Sequence, residues 1–299
     1  MGTLAGVMLG LGAALFQALS YLYSRWFVAK HHHNVIVLLT LSHVLMGGIS
    51  VVGLCLILPD NMSGWKVYFG PVAGCSLFYI AGQAALFMAL RRSDASRVSP
   101  LLGLKLVVLA GITTGWLSQT YSLMQWVAVL LTVVAAWVMN QAGGRLSRQS
   151  VIWILGACAG YSLSDLHIRI LVDRFAAFGL LRAAVLSALL CYVFCGVCCL
   201  PSLFLMRKLN REMWMRAVPF AALWLISMLL LFACFGVIGV VFGNIVQATR
   251  GLISIVLGSM VAMAGFEDLE SRITTTVLLR RIGAALMMLS AIALFYIGK

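Results

Sequence analysis

The sequence predicts an all-α polytopic membrane protein of ten transmembrane helices, arranged as two inverted five-helix repeats. Three observations carry this. Of 299 residues, 63% are hydrophobic and only 10% charged, well outside the usage of globular domains. Continuous apolar runs of about 20 residues recur, the length a helix needs to cross a bilayer; a β-barrel would show alternating segments of about 10 residues instead. Finally, residues 11–25, LGAALFQALSYLYSR, return 144 positions later as LGACAGYSLSDLHIR, residues 155–169. Seven of the fifteen positions are identical: Leu11/Leu155, Gly12/Gly156, Ala13/Ala157, Leu19/Leu163, Ser20/Ser164, Leu22/Leu166 and Arg25/Arg169.

The apolar runs place spans at about 4–27, 35–58, 68–90, 95–117, 121–141, 150–172, 178–203, 214–236, 240–264 and 277–298. Met1 to Phe27 lacks a basic leader and a small-residue cleavage site, so it reads as a retained first span. The loop Gly143-Gly144-Arg145-Leu146-Ser147-Arg148 is the joint. It separates a first repeat, 1–142, from a second, 150–299, with 143–149 connecting them. Five spans per repeat reverse the sense of the second relative to the first. That is the plan in which substrate sites lie near the midplane between halves. The fourth and ninth spans also correspond when Gly103 is set on Gly251, which places Lys105 opposite Ile253.

Charge points to a membrane rather than to nucleic acid. The formal net charge is +13, but Lys and Arg sit mostly in short loops, where they orient a chain against the bilayer. No nucleic-acid partner and no cofactor are expected. Eight cysteines lie almost all within apolar runs and read as small hydrophobes rather than a disulfide framework. Cys191, Cys195, Cys198 and Cys199 follow helical spacing, which suits helix packing better than a metal site. His31-His32-His33 reads as a solvated loop.

Polar residues inside the apolar runs mark the candidate site, because lipid-facing polar groups are costly. Positions three and four apart share a helix face. Gln17, Ser20, Tyr21 and Ser24 therefore form one stripe, and Tyr161, Ser164 and Asp165 form its counterpart. Asp165 lies about fifteen residues into its span, or about 22 Å by helical rise. A carboxylate at that depth is expected to be paired or to hold a proton, so it is the candidate proton-coupling residue or a counter-charge for an amine. His167 and Arg169 point elsewhere or snorkel. Arg250 is the second deep charge, on one face with Gln247, Gly251 and Ser254, one turn beyond Asn244. Its guanidinium either binds a carboxylate or phosphate or neutralises Asp165. Lys105 lies at similar depth in the fourth span and is a weaker candidate, with snorkelling as its other reading. His43, Ser76, Tyr79, Gln83, Trp224 and Ser227 are further lining candidates, aromatic and amide groups suiting an amphiphilic ligand.

Together these features resemble the drug/metabolite transporter superfamily, in its ten-span EamA-like branch. The residues that carry the resemblance are the stretch ALFMALRRSDASRVSPLLGL, Ala85 to Leu104, and Gly265-Phe266-Glu267 closing the ninth span. The family's acidic residue before the last span is missing from the first half, which has Gly115-Trp116-Leu117-Ser118, and no proline in the second half matches Pro100. The resemblance implies a multi-pass protein of the cell (inner) membrane, acting as a monomer or homodimer among membrane lipids. It implies a secondary transporter working by alternating access, which would move a small amphiphilic metabolite, an amino acid or related compound, outward. A phospholipid or lipid-linked sugar flippase is the alternative, with Arg97, Lys105 and Arg250 as a basic rim. A membrane enzyme would need clustered acid, base or metal groups. The cluster Glu267-Asp268-Glu270 beside Arg272 reads as a solvated loop, so no catalytic site is expected.

The family usually keeps both termini in the cytoplasm, but the charges argue otherwise. Arg91, Arg92, Arg145, Arg148, Arg207, Lys208, Arg211, Arg280 and Arg281 fall on the face opposite the termini. Lys66, Arg174, Arg182 and Lys299 share the termini's face. The positive-inside rule then puts the termini outside, unless the span count is off by one.

Overall fold

The computed structural model describes residues 2–31, 35–59, 62, 64–90, 102–139, 148–206, 209–263 and 275–298. Among them the chain is helical throughout, as a membrane core demands: without water, only intrasegment hydrogen bonds satisfy the backbone. In chain order the helices are α1 Thr3–His31, α2 Val35–Ile57, α3 Lys66–Leu90, α4 Lys105–Leu117, α5 Leu123–Met139 and α6 Arg148–Arg174. They continue with α7 Leu180–Leu205, α8 Arg211–Ile238, α9 Val240–Ala248, α10 Arg250–Met263 and α11 Thr275–Ile297. Seven helical stretches are long and apolar enough to span. The fourth, fifth and tenth expected spans carry shorter apolar stretches, Lys105–Trp116, Leu123–Ala135 and Leu286–Ile297. The joint at 143–147, Arg97, Pro100 and the Glu267 loop lie outside the described residues.

Local chemistry sets the helix ends. Asn210 caps α8, its side-chain oxygen accepting from the Met213 N–H at 2.9 Å, with Glu212 in the first turn. Gly239 alone joins α8 to α9, at φ +81°, a backbone that L side chains rarely adopt. Pro71 and Pro219 both lie inside the third helix of their halves, past the first turn, so each removes one intrahelical hydrogen bond.

The halves pack reciprocally. The first helix of each half lies on the third of the other, as α1 on α8 and α3 on α6. Each first helix also meets the other half's fourth, as α1 with α10 and α4 with α6. The second helices pair as α2 with α7, and the fifth as α5 with α11. Contacts at the helix ends show that these pairs run antiparallel. The Tyr23 hydroxyl donates to the Arg216 carbonyl at 2.7 Å, joining the end of α1 to the start of α8. Arg174 at the end of α6 donates to the Val67 carbonyl at the start of α3. Arg182 reaches the Ile57 carbonyl at 2.9 Å, and Ser122 the Gly298 carbonyl at 2.9 Å. Inverted halves produce this set of contacts.

Two crossings are close because both partners are glycine. A Cβ on Gly196 of α7 would lie 2.9 Å from the Gly47 Cα of α2. One on Gly160 of α6 would lie 2.9 Å from the Gly82 backbone and the Phe78 carbonyl oxygen of α3. Ser227 and Ser76, expected to line a cavity, instead tie helices together. Their hydroxyls donate to the carbonyls of Ala13 at 2.8 Å and Cys191 at 3.1 Å, and both are fully buried. Ser164 does the same toward the Cys75 carbonyl at 2.9 Å. The eight cysteines are free thiols, and five of them, Cys75, Cys158, Cys191, Cys195 and Cys234, are buried among apolar neighbours.

Candidate functional site

Near mid-depth the two stripes face each other and close a network that draws on both halves. Asp165, 6% exposed, receives two donors on one carboxylate oxygen. The Lys105 ammonium lies 2.6 Å from Oδ2, and Asn244 Nδ2 donates to the same atom at 2.8 Å. The Lys105 Nζ also stands 5.8 Å over the Tyr161 ring, one turn before Asp165. Arg250 does not neutralise Asp165. Its Nη1 donates to Gln17 Oε1 at 2.8 Å, Gln247 Nε2 donates to that oxygen at 2.9 Å, and its guanidinium lies 5.2 Å over the Tyr21 ring. Lys105 is therefore the ion-pair partner, not a snorkelling residue. It opens α4 directly after a 3-10 turn, Leu102–Leu104, which aims it inward rather than up the helix.

An aromatic arc joins the two charged ends. Tyr21 meets Trp224 edge-on at 5.7 Å, and Trp224 Nε1 donates to the Tyr192 hydroxyl at 2.8 Å. The Tyr192 ring lies 6.4 Å from His43, and His43 lies 5.6 Å from Tyr79. His43 Nδ1 is 2.7 Å from the Leu39 carbonyl, which can only accept. Nδ1 therefore carries the proton, and Nε2 accepts from the Tyr79 hydroxyl at 3.2 Å. Gln83 Nε2 donates to the same hydroxyl oxygen at 3.1 Å, and Tyr79 faces Tyr161 at 6.4 Å. All eleven residues expected to bind substrate thus fall within one connected group. Most are buried, while Tyr21 is 38% exposed.

Tyr192 has no polar signal in the sequence, and Lys105 has no partner assigned there. Tyr192 stands among the cysteines of α7 with no polar residue beside it, so its face read as packing. Lys105 was matched to Ile253 by aligning the glycines. The 144-residue offset of α1 and α6 brings it within one residue of Arg250, the first residue of α10. Outside the network, Arg169 donates to the Phe235 and Gly236 carbonyls at 2.7 and 2.6 Å and pairs with Asp173 at 2.8 Å, capping the end of α8. His167 packs on Phe78 at 5.4 Å. No group of three or more His, Cys, Asp or Glu side chains suited to a metal occurs among the described residues. His32 and His33 lie outside them.

A bundle of long apolar helices with a buried charged and aromatic centre defines a polytopic membrane protein. Over residues 4–141 the chain matches the model of the EamA-like transporter family, in keeping with the drug/metabolite transporter superfamily. No curated protein matches the sequence. Among 28 solved chains that match, one described as "Crystal structure of protein" aligns with a TM-score of 0.67 over 97% of this chain and 95% of its own. At 14% identity that likeness concerns the fold alone. It extends the shared architecture over essentially the whole chain.

Proposed function

We propose that the protein is a secondary transporter that exports a small amphiphilic metabolite, an amino acid or related compound, across the cytoplasmic membrane by alternating access. The observation that carries this reading is the closed mid-depth network: two cations, one carboxylate, four amides and an aromatic arc, contributed by both halves. Ionisable groups at such depth are too costly to keep for packing alone, and aromatic walls with a few convergent polar groups suit an amphiphilic ligand. The tightened backbone at Thr249, whose N–H donates to the Val246 carbonyl at 3.1 Å, divides α9 from α10 inside the site. Interrupted helices of this kind frame transporter binding sites.

Asp165 is the proposed proton-coupling residue. Protonation would release the Lys105 ammonium and separate α6 from α4, giving the proton a lever on how the halves pack. The headgroup-binding alternative needs Lys105 as part of a basic rim, and its ammonium is held by Asp165. Proteoliposomes loaded with amino acids and related amphiphiles, with and without a pH gradient, test the proposal. The double variant Lys105→Gln/Asp165→Asn, which leaves no buried charge unpaired, should still exchange substrate but lose the gradient dependence. An unchanged response to the gradient removes the coupling role, and absence of any flux across the panel removes the transporter reading.

A further inference from the structure

The two charged ends of the network are copies of each other, and among the described residues one copy lacks an anion. At the 144-residue offset, Gln17 corresponds to Tyr161 and Tyr21 to Asp165. Lys105 bridges the second pair, with an ion pair to Asp165 and its ammonium over Tyr161. Arg250 bridges the first pair, with a hydrogen bond to Gln17 and its guanidinium over Tyr21. Each cation opens the fourth helix of its own half and sits on two residues, one turn apart, in the first helix of the other. Where Lys105 meets a carboxylate, Arg250 meets only a neutral amide oxygen and a ring. That amide oxygen already accepts from two donors, Arg250 and Gln247. The carboxylate of Asp165 likewise accepts from two, Lys105 and Asn244.

The charges do not balance. The described acidic residues Asp165, Asp173 and Glu212 pair with Lys105, Arg169 and Arg216 respectively. None reaches Arg250, so the centre holds one positive charge in excess among the described residues. A guanidinium at this depth is unfavourable without a counter-ion, and its planar fork matches a carboxylate.

Resting on the transporter reading above, we propose that the ligand carries a single carboxylate. It docks between Arg250 and Gln247, beside Tyr21, at the pseudo-symmetric equivalent of the Asp165 carboxylate. Its apolar part lies along Tyr21 and Trp224. A monoanion brings the centre to neutrality. A phosphate dianion would leave one negative charge in excess, and an amine would add a second positive one.

Purified full-length protein in nanodiscs is titrated with four compounds of like shape: 3-phenylpropanoate, 3-phenylpropanamide, 3-phenylpropylamine and 2-phenylethyl phosphate. The propanoate should bind at least about tenfold tighter than the other three, the range a charge-assisted hydrogen bond supplies. Arg250→Gln should remove that margin. Tyr21→Asp should supply the missing carboxylate internally, abolishing propanoate binding while raising the melting temperature; Tyr21→Asn, which removes the same ring without adding a charge, should weaken propanoate binding without abolishing it and should not raise the melting temperature. Equal or tighter binding of amide, amine or phosphate overturns the proposal. So does an undiminished margin in Arg250→Gln, a Tyr21→Asp variant that still binds the propanoate, or failure of all four probes to bind. Flux separates the two readings. Carboxylate binding without flux of any panel member leaves the docking site standing and removes the transporter, whereas flux of amines with no carboxylate binding does the reverse.

Discussion

At the scale of single residues, the Lys105–Asp165 pair is where a change should cost most. Its side chains are 19% and 8% exposed, so removing one partner strands a buried charge. Lys105→Gln or Asp165→Ala should each lower stability by about 3–5 kcal/mol, read as denaturant or thermal unfolding in detergent. The double variant Lys105→Gln/Asp165→Asn should recover much of that loss, since no charge is then left alone. A double-mutant cycle with no coupling would mean that the two groups do not form the pair. The residues of the site were largely legible beforehand. Polar side chains three or four positions apart in an apolar run have few explanations, so Gln17, Tyr21, Tyr161, Asp165, Asn244, Gln247 and Arg250 stood out. Who pairs with whom was not legible. Partner choice depends on the rotational setting of helices far apart in the chain, and a 3-10 turn at Leu102–Leu104 shifts that setting by more than the glycine alignment could reveal.

At the scale of elements, helix pairs meet through absent side chains as much as through present ones. Without a hydrophobic drive between helices in lipid, close backbone approach supplies the packing energy. The α3–α6 crossing at Gly82 and Gly160 matters most, because α6 carries Asp165 and Tyr161, and α3 carries Tyr79 and Gln83. At Gly160 the atoms a methyl would meet are all backbone, at 2.9 Å, so no side chain can swing away and the helices must part. Gly160→Ala should therefore destabilise by about 1–3 kcal/mol and weaken substrate binding as well, whereas Gly111→Ala, with open space around it, should do neither. Equal melting temperatures for both variants would show that the crossing is not tight. The glycine of the repeated Leu-Gly-Ala motif, by contrast, is less constrained at Gly156, where an added methyl meets only the Ala85 Cβ at 3.7 Å. Identity across the repeat flagged the helix, and not the position where packing is tightest.

At the scale of the whole molecule, the inverted halves decide which faces the charges occupy. Both termini lie on one face. A Cβ at Gly6 would touch Ile238 and Val237 at the end of α8, and Arg169, near the end of α6, caps that same helix end. Arg174 then links this face to Val67, while Gly298 meets Ser122 at the end of α11. The contacts among the described residues agree with an even number of passages. Lys66, Arg174 and Arg182 belong to the termini's face. Arg91, Arg92, Arg145, Arg148, Arg207, Lys208, Arg211, Arg280 and Arg281 belong by chain order to the opposite one. Basic residues in short loops resist translocation, so the heavily basic face should stay in the cytoplasm and the termini should lie outside, the reverse of what the family resemblance implies. Fusing alkaline phosphatase after Lys299 should give an active enzyme, because it folds only after export. A fluorescent protein inserted between residues 143 and 144 should mature in the cytoplasm, and one fused after Lys299 should stay dark. The opposite pattern would place nine basic residues on the external face.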